Sequence, residues 1–135
     1  MKLEHEIQKS IVQVMHMNGY MSICTDVFCG LRFIGNNQPK RLSFIGQIKA
    51  LGGTVGTPDL IFLKNKEILF VEMKTDTGKL SKEQKDIMAL LTKWGFNVQV
   101  WRDMDDCLAY LEWTYSVNHD RGNSSKATSV HTNNL

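Results

Sequence analysis

Asp59, Glu72 and Lys74 are the residues whose types and spacing point to chemistry. They sit on two apolar runs, Pro58 to Leu63 and Glu67 to Lys74, joined at Asn65-Lys66. If that pair is the centre of an even-length turn, Lys64 faces Glu67, Ile61 faces Phe70, and Asp59 faces Glu72. Directly opposed residues share a sheet face with Cβ atoms about 5 Å apart. An odd-length loop would send the two carboxylates to opposite faces. Lys74, two residues beyond Glu72, projects from the same face.

Two facing carboxylates on apolar strands repel unless a positive group lies between them. A divalent cation suits that position. Magnesium and manganese prefer oxygen ligands, and magnesium takes one or two protein carboxylates while keeping several waters. Such an ion polarises a phosphoryl oxygen and acidifies water. A lysine beside it would orient the attacking water or offset charge developing at phosphorus. The same three side chains also read as a buried ion-pair cluster without catalysis, and spacing alone leaves both readings open.

The elements that must position these residues follow from periodicity. Leu3 to about Met17 reads as a helix with Leu3, Ile7, Ile11 and Val14 on one stripe, ended by Gly19. Glu4 lies about 60° from Ile7, inside the apolar stripe, whereas Glu6 falls about 100° to the other side. Glu4 thus points to the core side, where it either reaches a metal or complements the helix dipole; Glu6 is the alternative. Tyr20 to Ile34 reads as one bent strand or two short ones. Asn36-Asn37-Gln38-Pro39 is a turn signal, and Leu42 to Leu51 a short helix or irregular segment. The runs 58–63 and 67–74, apolar on both faces, suit strands inside a covered sheet.

After a turn at Asp76-Thr77-Gly78, Ser81-Lys82-Glu83-Gln84 has the pattern of a capping box opening a helix. Its apolar face is Ile87, Leu90, Leu91 and Trp94, and Gly95 stops it. Gln84 is the expected partner of the Ser81 cap. It also lies one short turn from the Glu72-Lys74 strand, where Lys79, Lys82 and free helix amides could receive a phosphate. Phe96 to Trp101 alternates as a strand. Asp103 caps a last helix to about Tyr115, with Asp105 and Asp106 as acids of its first turn. Residues 116–135, polar and poor in apolar types, read as a disordered tail after a domain spanning 1–115. The expected fold is α/β, a small mixed sheet flanked by helices.

Composition bounds the rest. The 135 residues fit one domain, with 42% hydrophobic and 22% charged residues and a net charge of +2. That balance neither demands nor excludes nucleic acid. No run reaches membrane-spanning length, the polar acidic start is unlike a signal peptide, and an odd count of three cysteines suits free, buried thiols. A cytoplasmic location follows as an expectation. The four histidines form no ligand cluster. Lys40, Arg41 and Lys49 read as DNA-backbone contacts or as a solvated basic loop. Trp94, Trp101 and Trp113 occupy positions expected to pack.

The run Gly56-Thr57-Pro58-Asp59, then Phe70-Val71-Glu72-Met73-Lys74, then Gly78-Lys79-Leu80-Ser81-Lys82-Glu83-Gln84 resembles the VRR-NUC family of the PD-(D/E)XK nuclease superfamily. The resemblance covers roughly Gly56 to Trp101, and the first helix more loosely. It implies a restriction-endonuclease-like αβββαβ core and magnesium- or manganese-dependent hydrolysis of DNA phosphodiester bonds. It makes Asp59, Glu72 and the Met73 carbonyl metal ligands, Lys74 the catalytic lysine and Gln84 the helix glutamine at the site. Glu4, three residues before Ile7, matches the spacing of the family's first-helix glutamate. Stand-alone members resemble phage or mobile-element enzymes, with a fold like that of Holliday-junction resolvases. An endonuclease acting on branched or flapped DNA, working as a homodimer, is the resulting expectation. An inactive nucleic-acid-binding module and a protein-interaction scaffold are the alternatives.

Overall fold

The computed structural model describes residues 2–26 and 34–128. Its elements are α1 (Lys2–Met17), β1 (Met21–Cys24), α2 (Gln38–Ala50), β2 (Leu60–Lys64), β3 (Glu67–Met73), α3 (Lys82–Lys93), β4 (Asn97–Trp101) and α4 (Met104–Thr128). The strands form one mixed sheet in the order β1-β2-β3-β4, with β1/β2 and β2/β3 antiparallel and β3/β4 parallel. The fold is α/β, a four-stranded mixed sheet flanked by helices, as the patterning predicts.

The β2–β3 hairpin has the anticipated register. Lys64 pairs with Glu67, Ile61 with Phe70 and Leu60 with Val71 around a two-residue turn, whose Asn65 takes a left-handed φ of 54°. Alternation then sorts β3 into two faces. Leu69, Val71 and Met73 are buried on one face and pack into the core with Leu60, Phe62 and Trp101. Ile68, Phe70 and Glu72 point the other way. Aromatic contacts run through the core face: Tyr20 meets Phe62 edge-on at 6.4 Å, and Phe62 stacks on Trp101 at 6.0 Å. Ile11 and Met15 of α1, both fully buried, complete it. Gly19 (φ 85°) turns the chain out of α1, and Lys64 Nζ donates to the Asn18 carbonyl at 2.7 Å, tying that turn to the end of β2.

Four expectations are corrected. The signal at 36–39 is a helix start rather than a free turn: Asn37 caps α2 by accepting from Lys40 N, and Pro39 lies in the first turn, where its missing N–H costs nothing. The ambiguous segment is thus a regular 13-residue helix whose half-buried residues Arg41, Phe44, Ile45 and Ile48 form one stripe. The last helix does not stop near Tyr115 but continues to Thr128, so the disordered tail expected from 116 onward is helical over 116–128. No proline interrupts that stretch, and Ser116 Oγ donates to the Glu112 carbonyl at 3.0 Å. Of the three tryptophans expected to pack, only Trp101 is buried: Trp94 at the end of α3 is 63% exposed and Trp113 56%. Finally, Cys24 is exposed because β1 is an edge strand, whereas Cys107 is buried as anticipated. Cys29 and the second half of the strand region expected over 20–34 lie largely outside the described residues.

The chain divides into two compact units, Met1–Arg102 and Asp103–Leu135. The first contains the whole sheet and every candidate site residue. The second is α4, capped by Asp103, whose Oδ1 accepts from Asp106 N at 3.1 Å. Among the described residues no helix is long and apolar enough to cross a membrane.

Candidate active site

The site is assembled at the C-terminal end of β3. Glu72, the penultimate residue of that strand, is 1% exposed, so a carboxylate is held almost wholly out of solvent. Its Oε1 receives two donors: Lys74 Nζ at 3.1 Å and Gln84 Nε2 at 2.5 Å. Its Oε2 is buried with no hydrogen-bond partner. Asp59 enters one residue before β2, at the register position opposite Glu72. Its Oδ2 accepts from the Met73 backbone N–H at 2.9 Å, which fixes the carboxylate against the end of β3.

The electrostatics follow from this crowding. Burial, and then the charge of Asp59, push the Glu72 carboxyl up to about 7, against the opposing pull of Lys74 and of the Asp59 backbone N–H, which lies near the carboxyl without making a hydrogen bond of normal geometry to Oε2. Asp59 is likewise raised, chiefly by burial; the Met73 N–H opposes this, while the charges of Asp26 and Glu4 add to it. Both acids are raised by burial and by the charge of neighbouring acids, and Lys74 only partly offsets this. An orphaned buried oxygen on Glu72 points the same way. The two carboxylates offer oxygen donors only, which suits a hard divalent cation.

Gln84 joins the site without giving up its helix duty. The capping box of α3 is fully formed: Gln84 N donates to Ser81 Oγ at 3.1 Å, and Ser81 N donates to Gln84 Oε1 at 2.9 Å. The other end of the same amide holds Glu72. Gln84 thus bonds both the Ser81 cap and Glu72. Phosphate reception at the α3 N-terminus is less open than its amides suggested. The Gln84 amide is taken by the cap, and Gly56 lies so close that a Cβ there would meet Glu83 C and O at 2.6 Å and Gln84 N at 2.8 Å. Gly56 also has φ 89°, so a side chain is excluded on both counts. This is the physical content of the glycine two residues before Pro58: the backbone leading to Asp59 is pressed on the first turn of α3.

The first helix separates its two acids. Glu6 is exposed and pairs with Lys9 at 2.9 Å, while Glu4 is half-buried and within electrostatic reach of Asp59. The described residues hold no cluster of three or more His, Cys, Asp or Glu placed to grip a metal together, so Glu4 stands near the Asp59–Glu72 pair without closing a three-acid cage around it. Lys82 is drawn to Asp86 at 3.3 Å on the solvent face of α3. Arg41 donates to the Gly35 carbonyl at 3.0 Å, while Lys40 and Lys49 are exposed.

Three contributors were not foreseen. Arg102 gathers the loop after Lys74: its Nη1 donates to the carbonyls of Thr75 at 2.5 Å, Asp76 at 3.3 Å and Gly78 at 2.8 Å. It thus fixes the span between Lys74 and the Ser81 cap. Thr25 donates through its amide to the Asp59 carbonyl at 2.9 Å and through its hydroxyl to the Pro58 carbonyl. Asp26 follows it and adds a further acid near Asp59. The β1/β2 register, which pairs Cys24 with Leu60, places Thr25 opposite Asp59. Only that pairing could have singled out Thr25 and Asp26, and no motif carried it.

Comparison with known proteins gives a matching result. A family model, the VRR-NUC domain, matches residues 35–104, just over half of the 135-residue chain. The match takes in Asp59, Glu72, Lys74 and Gln84 and extends back through α2, beyond the stretch that motif reading could use; it leaves Glu4 outside. A solved structure described as a "VRR_NUC domain protein" is similar at 25% sequence identity, over 50% of this chain and 59% of that one, with a TM-score of 0.45. No curated protein matches.

Proposed function

The chain belongs to the VRR-NUC domain family, a nuclease-type family, and from that premise we propose that it is a metal-dependent endonuclease that hydrolyses DNA phosphodiester bonds. The observation that carries this reading is the buried Glu72, held on one oxygen by Lys74 and Gln84 and left without a partner on the other, at the register position opposite Asp59. A purely structural Glu72–Lys74 ion pair would leave no buried oxygen without a donor, because an unsatisfied buried acceptor is costly.

Asp59, Glu72 and the Met73 carbonyl would hold a magnesium or manganese ion, with Glu4 near enough to act through it or through its waters. When bound, the ion supplies Lewis acidity to a phosphoryl oxygen and to the attacking water. The remaining work belongs to the chain. Asp59 and Glu72, as carboxylates, present oxygens in positions fixed by the Met73 N–H on one and by Lys74 and Gln84 on the other. Lys74 directs its ammonium into the same space, where it donates to the incoming water or to the phosphoryl oxygens as negative charge builds on them. Gln84 holds Glu72 Oε1 so that Oε2 faces inward. Arg102 keeps the loop between Lys74 and Gln84 from drifting. Branched or flapped DNA as the substrate, and a homodimer as the working unit, belong to the same proposal, because a small domain alone has little surface for gripping a junction.

The test is a cleavage assay on duplex, single-stranded, flapped and four-way-junction DNA with magnesium, manganese or chelator. Cleavage that needs the metal and is lost in Asp59→Ala is the expected result. Metal-dependent cleavage that persists in Asp59→Ala, Glu72→Ala and Lys74→Ala alike would overturn the site assignment.

A further inference from the structure

The end of β1 and the loop leading to Asp59 line an open cleft of about 320 Å³ that the cleavage chemistry leaves unused. That is the lower end of the range of roughly 300–1,000 Å³ in which small-ligand sites fall. Ile23, Cys24 and Thr25 form one side, and residues 52–54 with Thr57 the other. Among the described residues no Asp, Glu, Lys, Arg or His lines it. The wall is fastened to the site, since Thr25 is the residue that bonds the Asp59 and Pro58 carbonyls.

One side of the cavity is bare backbone by construction. Gly52 has φ 98°, a conformation that side chains disfavour. At Gly53 a Cβ would lie 2.4 Å from Ile48 Cγ2 and 2.9 Å from the Ile48 carbonyl, to which the Gly53 amide donates at 2.8 Å. Gly53 is thus required by its packing on Ile48, and Gly52, with open space where a Cβ would stand, leaves this side of the cavity without a side chain that a flat ligand must clear. Thr25, Thr54 and Thr57 add hydroxyls, which both donate and accept. The Thr57 hydroxyl already donates to the Thr54 carbonyl at 2.8 Å, so its lone pairs remain to accept.

Resting on the nuclease reading above, we propose that this cavity receives the base of an unpaired nucleotide adjoining the phosphate at Asp59 and Glu72. The preferred substrate is then a strand with at least one unpaired nucleotide at the cleavage position. A phosphate demands cations or convergent amides, and the cavity offers neither set. The neutral parts of a nucleic acid next to a phosphate are its sugar and its base, and the base is the flat one with polar edges. A paired base reaches such a cavity only after unstacking, which costs a few kcal/mol and least where pairing is already absent.

Cys24, exposed and lining the cavity, is the reporter. The full-length protein is treated with iodoacetamide in chelator, alone or saturated with a duplex or with the same duplex carrying one unpaired nucleotide. Occupancy is set by fluorescence anisotropy, and modification at Cys24 is resolved from Cys29 and Cys107 by mass spectrometry. The expected result is slowing of Cys24 alkylation by about tenfold or more with the unpaired nucleotide and little slowing with the paired duplex at equal occupancy. Equal alkylation rates in the two complexes overturn the proposal. Gly52→Ala, which places a methyl in the open space at the cavity wall, should lower kcat/KM for the unpaired substrate relative to the paired one; an unchanged ratio overturns it as well. Cleavage without protection removes the cavity assignment and leaves the nuclease reading standing. Protection without cleavage in magnesium or manganese removes the nuclease reading instead, and the absence of both removes the two together.

Discussion

The two sides of Asp59 are built on opposite principles. Toward β3 and α3 the surroundings are charged, buried and held by side chains: Lys74 and Gln84 both donate to Glu72, and the Met73 amide bonds Asp59. Toward β1 they are largely neutral and open. There the main fixtures are Thr25 on two backbone carbonyls and two glycines that leave a wall bare. Polar groups that must not move are placed in low dielectric, where each contact is strong and each omission costly. The side left roomy lacks those constraints and can admit something from outside.

The contrast breaks most severely at Glu72 and Lys74. Glu72→Gln or Lys74→Ala should reduce cleavage by about 10³-fold, as loss of a group that meets transition-state charge does, while the far-ultraviolet circular dichroism stays unchanged. A loss below tenfold would move the chemistry elsewhere.

The pH dependence of stability tests the charged side next. Glu72 is raised from its ordinary 4.5 to about 7 in the folded chain. Between those values the folded state keeps a proton that the unfolded state releases, so stability is full below about 4.5 and falls as pH rises through about 7. The fall is at most about 3 kcal/mol, and raised Asp59 adds to it in the same direction. Chemical denaturation in chelator at pH 5 and pH 8 measures this. Magnesium should offset the loss at pH 8, and a metal-free protein more stable at pH 8 than at pH 5 would refute the account.

Gly56→Ala tests how closely the Asp59 approach is pressed on α3. A Cβ at 2.6 Å from the Glu83 backbone, in a left-handed conformation, should cost about 1–3 kcal/mol in urea unfolding. The smallest expected effect separates the two duties of Gln84. Gln84→Glu keeps an acceptor for Ser81 N but sets a carboxylate against Glu72, whereas Gln84→Ala removes cap and donor together. Stability should fall by about 1 kcal/mol in the alanine variant. Cleavage should fall in both, and further in the glutamate variant.

How much of this was legible depends on where the information lay. The hairpin register was readable because Asn65-Lys66 marks an even turn between two apolar runs, and from it came the opposition of Asp59 and Glu72. The α3 start was readable because a capping box occupies four consecutive residues. Helix α2 was readable only as a short helix or irregular segment: its half-buried stripe is Arg41, Phe44, Ile45 and Ile48, Gly46 interrupts it, and Pro39 looks the same opening a helix as closing a turn. The polar composition after Tyr115 suggested disorder, but a helix already begun adds a bond with each further residue and needs no apolar face to continue. Thr25 and Asp26 needed a strand pairing that short β1 does not announce. Arg102 acts on carbonyls, which no side-chain pattern encodes.

Gln84 has one more consequence, concerning the orientation of its own amide. Oxygen and nitrogen occupy nearly the same shape at the end of a glutamine, so the group has two orientations of similar fit. Presented to a buried carboxylate, one orientation donates and the other repels. The cap decides between them, because Ser81 N is a donor and accepts nothing, so Oε1 must turn toward it and Nε2 must turn away. That choice is made by neighbours three residues apart, in a contact available as soon as the first helical turn forms. The glutamine therefore arrives at Glu72 already polarised in the right sense, and a local rule of helix ends sets the sign of a contact twelve residues away.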